Sequence, residues 1–372
     1  MRKISMLKRT LTGIGLAIGL MLAVSAGCVT DTRAAEASES SETEIKYTVK
    51  KVKDKVLMIP GETRLISTVI PDGSAFTSSN PKVVTVTAGG QMIAKKGGTA
   101  KVTHTIENIK YVYNVKVNEE VDLIVFAGQS NMCGSGGNAA QAPKPSYGTA
   151  YEFDITTSSK KTILMKEPFG EGTNRSNGLS MNGNYSTNGT LVSAFCINYY
   201  KQTKTPVVGI SCAWGGSSTN TWLNRGLVTK TQNAVKQAKK QLKKKKVKVR
   251  HIYMVWYQGE SDASQGISSN TYISRMKKIY KRMKNTGVEK VFVIKIGHDT
   301  GRQYLNGSIM EAQDKLCKNN KNFIMVSKSA PGLLNYSYAF YSDTIHLNQS
   351  GLNKIGYEAG KAAGKYVKKQ SR

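Results

Sequence analysis

The sequence predicts a three-layer α/β/α domain built on a five-stranded parallel sheet, preceded by a small all-β unit. Three observations predict it. From Val121 onward, apolar runs of strand length alternate with segments of helix length, the pattern of βαβ units with helices on both faces of a sheet. From Ile45 to Asn118 the runs are short, alternating and divided by Gly, Pro, Asn and Ser, as in a β-sandwich. At 372 residues, the chain has room for about two or three such units.

The chain begins with Arg2, Lys3, Lys8 and Arg9, then an apolar run from Gly13 to Ala26. That is the layout of a secretory signal peptide, and the run is short for a stable membrane span. Residues 1–37 are therefore read as signal peptide and leader. Two processing routes fit. Ser25-Ala26-Gly27-Cys28 resembles a bacterial lipobox with Cys28 carrying the lipid, whereas cleavage near Ala35-Glu36-Ala37 would free the protein. The expected location is secreted or cell-surface, with membrane attachment only through a lipidated Cys28. Residues 38–44 are small, polar and acidic and read as a linker.

In the all-β unit, residues 45–118, strands are predicted at Val56 to Ile59, Thr63 to Ile70, Val83 to Val86, Gln91 to Ala94, Ala100 to Thr105 and Tyr111 to Val117. His104 is its lone histidine, and nothing in the segment points to chemistry. In the second unit, residues 121–368, strands are predicted at Leu123 to Ala127, Pro206 to Cys212, His251 to Trp256, Val291 to Ile296 and Phe323 to Val326. Helices are predicted at Leu191 to Lys204, Val228 to Lys246, Tyr272 to Lys284, Met310 to Lys318 and Gly351 to Lys368.

The formal net charge is +30, from 54 Lys and Arg against 24 Asp and Glu. No zinc-finger or RNA-binding signature accompanies it, so nucleic acid is not the expected partner. The densest run, Lys239 to Arg250, reads as the solvated end of an amphipathic helix. For an exported protein the charge points to attraction towards anionic cell-wall polymers or acidic glycans. The five cysteines show no C-x-x-C spacing, so neither a zinc site nor any other metal or cofactor is expected.

Polar clusters follow the predicted strands. The first strand ends in Gly128-Gln129-Ser130-Asn131-Met132, the second in Trp214-Gly215-Gly216-Ser217 and the third in Gln258-Gly259-Glu260-Ser261-Asp262. Asp343-Thr344-Ile345-His346 lies beyond the last strand. Open α/β sheets bind ligands at the carboxyl edge of their strands. These residue types suit acyl transfer. Ser130 is a weak nucleophile until a base takes its proton, and His346 is the natural base. Asp343, three residues earlier, could orient the imidazole and stabilise its cation. The N–H groups of Ser130 and Gly216 and the side-chain amide of Gln258 are candidate oxyanion donors.

The motifs G-Q-S-N-M at Gly128 to Met132, W-G-G-S at Trp214 to Ser217, Q-G-E-S-D at Gln258 to Asp262 and D-T-I-H at Asp343 to His346 resemble those of the SGNH (GDSL-like) hydrolases. More narrowly they resemble the sialate O-acetylesterase and acetylxylan esterase branch, carbohydrate esterase family six. The resemblance implies a flavodoxin-like sheet and removal of acetyl groups from carbohydrate, with Ser130 as nucleophile, Gly216 and Gln258 as oxyanion donors, and Asp343 with His346 as relay. The branch often has His before Q-G-E, where this chain has Tyr257. The upstream unit resembles the bacterial group-two immunoglobulin-like module through Ser79-Asn80-Pro81-Lys82-Val83-Val84-Thr85-Val86 and Gly98-Thr99-Ala100-Lys101-Val102-Thr103, which implies a spacer or adhesive role.

Some assignments stay open. Glu260 competes with Asp343 as the acid partner, or could hold its loop or bind a sugar hydroxyl. His298 is a rival base. Trp222 is either core or a platform for a sugar ring. Asn182 to Asn188 is a candidate pocket rim. A non-catalytic glycan-binding protein would have dispensed with Ser130 or His346, and both are present. A lipase or thioesterase would want an apolar lid, whereas Gly136 to Ser159 is mainly small and polar.

Overall fold

A computed structural model describes residues 46–53, 55–154, 162–170, 188–299, 301 and 306–370, with the side chains of 334–338 excepted. The leader, Cys28 and the whole of the linker therefore lie outside the described residues, as does the candidate rim apart from Asn188.

The predicted all-β unit is present as eight strands: β1 (Thr48–Lys51), β2 (Val56–Met58), β3 (Thr63–Leu65), β4 (Ala75–Ser78), β5 (Val84–Val86), β6 (Gln91–Ala94), β7 (Gly98–Ile106) and β8 (Ile109–Val117). They form one sheet of order β1-β8-β7-β4, with β2 also on β8, and a second of order β3-β6-β5. Inward-facing Val56, Met58, Val84, Met92, Val102 and Val115 share one buried core. Alternation explains this: in β7 the buried positions are Ala100, Val102 and His104, every second residue. His104 is a core residue, stacked on Phe76 at 4.2 Å and hydrogen-bonded to Ser74 Oγ.

The second unit follows after only Asn118 and Glu119. Its strands are β9 (Glu120–Gly128), β10 (Ala150–Phe153), β11 (Thr162–Leu164), β12 (Val207–Ala213), β13 (Lys248–Tyr257), β14 (Lys290–Ile294) and β15 (Phe323–Ser327). The order is β11-β10-β12-β9-β13-β14-β15, parallel throughout except for β11 on β10. All five predicted strands are present, and within them the order β12-β9-β13-β14-β15 is the flavodoxin-like 2-1-3-4-5. The sheet has seven strands rather than five. The two additions are short, and Glu152 interrupts the apolar run of β10, so they lacked a strand signal. The helices Val192–Thr203, Leu227–Lys244, Ser269–Lys284, Gly307–Asn319 and Gln349–Gln370 stand within a few residues of their predicted positions.

β9 lies at the centre, buried on both faces from Val121 to Gly128, which is why it reads as an unbroken apolar run. Full burial of Leu123, Ile124, Val125 and Phe126 contributes roughly 1.5–3 kcal/mol each. The strand ends at Gly128 because nothing larger fits. A Cβ there would lie 2.0 Å from Tyr257 O, and φ is +153°. The C-terminal helix is seated as tightly. Gly356, Gly360 and Gly364 bring its backbone against Leu191, Phe195 and Tyr199 of the neighbouring helix region. That seating fixes the segment just before it, which carries Asp343 and His346.

The all-β unit packs against the amino edge of the sheet. Tyr151 donates to Glu62 Oε2 at 2.7 Å, the Arg64 guanidinium lies 3.9 Å over the Tyr147 ring, and Lys248 N–H donates to Glu119 O at 2.7 Å. Ile59 joins the α/β core outright. Residues 46–372 accordingly form a single compact unit.

Glu152 on β10 is a buried acid. Burial pushes its pKa from an ordinary 4.5 up to about 8, with the Gly170 N–H opposing and the charges of Asp154 and Glu167 adding. The neutral carboxyl contributes stability that is complete below pH 4.5 and is lost as pH rises through about 8. Glu152→Gln cannot ionise, so its advantage over wild type should grow across that window, to on the order of a few kcal/mol at its upper end. Melting curves from mildly acidic to mildly alkaline pH check this, and parallel curves for the two proteins would refute it.

Candidate active site

The segments that follow four strands, β9, β12, β13 and β14, meet one later loop at the carboxyl edge of the sheet. They enclose a cavity of about 800 Å³ whose lining includes Ser130, Gly215, Gly216, Glu260, Asp299, Asp343 and His346. Small hydroxyl side chains complete it, among them Ser135, Ser261, Ser264 and Thr344. Ser130 opens the short helix Ser130–Cys133 directly after β9 and is 9 % exposed. Its hydroxyl makes no hydrogen bond to another described residue. Catalytic contacts are commonly loose without substrate and tighten when it binds.

The Asp343–His346 pair is formed. Asp343 Oδ2 meets His346 Nδ1 at 2.7 Å, leaving Nε2 for the cavity. Asp343 Oδ1 accepts from the backbone N–H groups of Ile345 and His346, at 2.8 and 2.6 Å. Burial acts to raise the Asp343 pKa, but these hydrogen bonds outweigh it, and the carboxyl sits below its ordinary value. Glu260 is treated oppositely. Burial is its largest influence and raises its pKa, against the Asn131 hydrogen bond and the nearby His346. Its Oε1 accepts from Asn131 Nδ2 at 2.9 Å, and its Oε2 is buried without a hydrogen-bond partner. The acid hydrogen-bonded to the imidazole is thus Asp343.

Gly216 has φ +62°, a left-handed turn with open space beside its Cα. Neither its N–H nor that of Ser130 has a backbone partner among the described residues, so both remain available as donors to the cavity.

Gln258 does not take the expected place beside them. It is fully buried, and its amide nitrogen lies 2.7 Å from Asp262 Oδ2, 3.0 Å from Ser217 O and 3.2 Å from Gln129 Oε1. Its donors are spent inside the wall, which removes it from the oxyanion set. Trp222 is not a sugar platform. It is 1 % exposed, packs edge-on against Trp256 at 4.9 Å and donates to Ser217 Oγ. His298 is absent from the cavity lining, where its neighbour Asp299 stands. His251 pairs with Glu289 at the start of β13, at the other edge of the sheet. Asn188 donates to Ser135 O at 3.4 Å, beside the cavity.

The residues flanking Ser130 carry a role that the sequence did not announce. Asn131 donates to Ile345 O at 3.1 Å and accepts from Leu347 N–H at 3.0 Å, gripping the chain on both sides of His346. Gln129 Oε1 accepts from Ser261 N–H at 3.1 Å and from Gly259 N–H at 3.4 Å, holding the loop after β13. Buried Asp262 extends the bracing. It accepts from Thr219 N–H at 2.7 Å and from the Thr219 hydroxyl at 2.5 Å, tying the glycine loop after β12 to the same wall. Two amides flanking a candidate nucleophile were the available signal. Among the described residues no group of three or more His, Cys, Asp or Glu side chains is arranged to hold a metal ion. The cysteines described, Cys133, Cys196, Cys212 and Cys317, form no disulfide.

Fold and site together place a serine and a hydrogen-bonded Asp–His pair in one cavity at the carboxyl edge of a parallel sheet. Residues 120–365 match the family model of carbohydrate esterases described as sialic acid-specific acetylesterase. That is more than half of the chain, and the protein belongs to this family of carbohydrate acetylesterases. Among solved structures it is similar to a protein from Arabidopsis thaliana, at 19 % identity over 66 % of this chain and 97 % of that one, with a TM-score of 0.49. It is also similar to a carbohydrate acetylesterase from Xanthomonas citri, at 14 % identity over 86 % and 73 % of the two chains, with a TM-score of 0.40. A mutant of an acetyl-xylooligosaccharide esterase from Geobacillus matches at 10 % identity over 64 % and 91 %, with a TM-score of 0.38. No curated protein matches the sequence.

If Asn131 sets the position of His346, Asn131→Ala should lower kcat by about 100-fold, the scale of a 1 Å misplacement, with KM little changed. Steady-state kinetics on a small acetate ester test this. An effect on KM alone would show that Asn131 contacts substrate instead.

Proposed function

We propose that the protein is an exported serine esterase that removes O-acetyl groups from carbohydrate through an acyl-enzyme. The 2.7 Å Asp343–His346 pair in the same cavity as Ser130 carries this reading. Ser130 Oγ attacks the acetyl carbonyl while His346 Nε2 takes its proton. Asp343 holds the imidazole tautomer and stabilises the cation that forms. The tetrahedral oxyanion is received by the N–H groups of Ser130 and Gly216, each such donor being worth about 3 kcal/mol of barrier. His346 then returns the proton to the departing sugar hydroxyl. Water, deprotonated by the same imidazole, releases acetate and restores Ser130.

The cavity lining favours a sugar over a long acyl chain. Its serine and threonine hydroxyls offer paired donors and acceptors, and among the described residues its lining has no large apolar side chain beyond Ile345. The basic-then-apolar N-terminal segment supports export. We read the all-β unit as an immunoglobulin-like spacer, consistent with its two packed sheets.

Acetate release from an aryl acetate and from acetylated oligosaccharides should vanish in Ser130→Ala, and sustained turnover there would overturn the mechanism. Asp343→Asn should reduce kcat by about 10⁴-fold. Glu260→Gln should cost less, because its carboxyl braces Asn131 rather than bonding the imidazole. The reverse ranking would exchange the two acids.

A further inference from the structure

The helices Leu227–Lys244 and Ser269–Lys284 lie side by side on one face of the sheet. Gln232 Nε2 donates to Arg282 O at 2.6 Å, and Arg282 reaches back to Leu223 O and Thr229 Oγ1. Neither helix contains an Asp or a Glu. Their exposed charged side chains are all lysines: Lys230, Lys236, Lys239, Lys240, Lys243 and Lys244 on one, and Lys277, Lys278, Lys281 and Lys284 on the other. Many stand three or four residues apart, as in Lys236–Lys240–Lys244, Lys239–Lys243 and Lys277–Lys281. Like charges at that spacing repel and weaken a helix. Solubility alone is served better by mixed signs. The fold thus tolerates a single-sign surface at some cost to itself.

The surface is also placed with respect to the cavity. Each helix begins shortly after a cavity-lining segment, the first after Gly215–Gly216 and the second after Glu260–Ser264. From there the faces run about 27 Å and about 24 Å, at 1.5 Å per residue over 18 and 16 residues, towards the opposite edge of the sheet. There Lys239, Lys240, Lys243, Lys246 and Lys248 line an open groove of about 560 Å³.

We propose that this two-helix face binds a linear acidic polysaccharide, holding it alongside the acetyl-removing cavity. The choice of a polysaccharide rests on the carbohydrate esterase reading, whereas the charged face does not. Lysine dominates the exposed cations, and lysine is a hydrated point charge on a flexible stem rather than a planar fork. Binding is therefore through summed charge, tolerant of the polymer's sequence and sensitive to salt. An enzyme held in this way meets successive acetyl groups without leaving the chain.

The full chain is tested for co-sedimentation with polygalacturonate and, in parallel, with neutral xylan, duplex DNA and vesicles of phosphatidylglycerol in phosphatidylcholine. Retention on polygalacturonate at low ionic strength, none on xylan, and about a tenfold loss on going to 0.15 M salt are expected. The combined variant Lys236→Glu, Lys240→Glu, Lys277→Glu and Lys281→Glu should lose about tenfold or more of this binding, with melting temperature and aryl-acetate turnover unchanged. A control carrying Lys82→Glu, Lys95→Glu, Lys96→Glu and Lys101→Glu on the all-β unit has the same net charge and should keep it. Equal loss in both variants, no retention at low salt, or tighter retention on DNA or vesicles would overturn the proposal. Binding without acetate release by wild type would sink the esterase reading and leave the surface standing.

Discussion

The two-sided hydrogen-bond ladder of β9 is the constraint on which the rest of the structure depends. β12 and β13 pair with β9 up to Gly128, and the ladder runs one step further on each side. Trp214 N–H donates to Gly128 O at 3.0 Å, and Gln129 N–H donates to Tyr257 O at 3.0 Å. Three chain segments far apart in sequence therefore leave the sheet at one level. Their next residues, Ser130, Gly215–Gly216 and Glu260, have no choice but to share a cavity. The absence of a side chain at Gly128 lets this happen, because the carbonyl of Tyr257 occupies the space that a Cβ would need.

Beyond the sheet, precision passes to amides. Gln129 and Asn131 stand on either side of Ser130 and hold different walls, one the loop after β13 and the other the loop of His346. The two carboxylates then diverge because their surroundings do. Asp343 is held by backbone N–H groups and an imidazole, which favour its charge. Glu260 is buried, and burial disfavours its charge. Two acids near one histidine thereby have their pKa values displaced in opposite directions, a common way for a site to separate roles.

Much of this was legible in the sequence because it depends on period and punctuation. Long apolar runs marked the five central strands, and helix-length segments between them implied the parallel sheet. Polar clusters after those runs located Ser130, Gly216, Glu260, Asp343 and His346 at one edge. What escaped depends on side-chain direction, which no period reports. Gln258 follows its strand as an oxyanion donor would, yet Asp262, four residues on, draws its amide into the wall. Trp222 sits near the site in sequence and turns into the core against Trp256. β10 and β11 escaped for a different reason: at four and three residues, and with a buried Glu152, they carry too little apolar length to stand out.

The all-β unit enters the α/β domain at the first residue of β9, and the cavity opens past its last. A nine-residue strand spans about 30 Å, so the two ends face different surroundings. The direct two-residue junction, with Glu62, Arg64 and Ile59 seated on the domain, also denies the pair a swivel. The β unit and the cavity thus stand at opposite ends of one strand, at a separation set by its length.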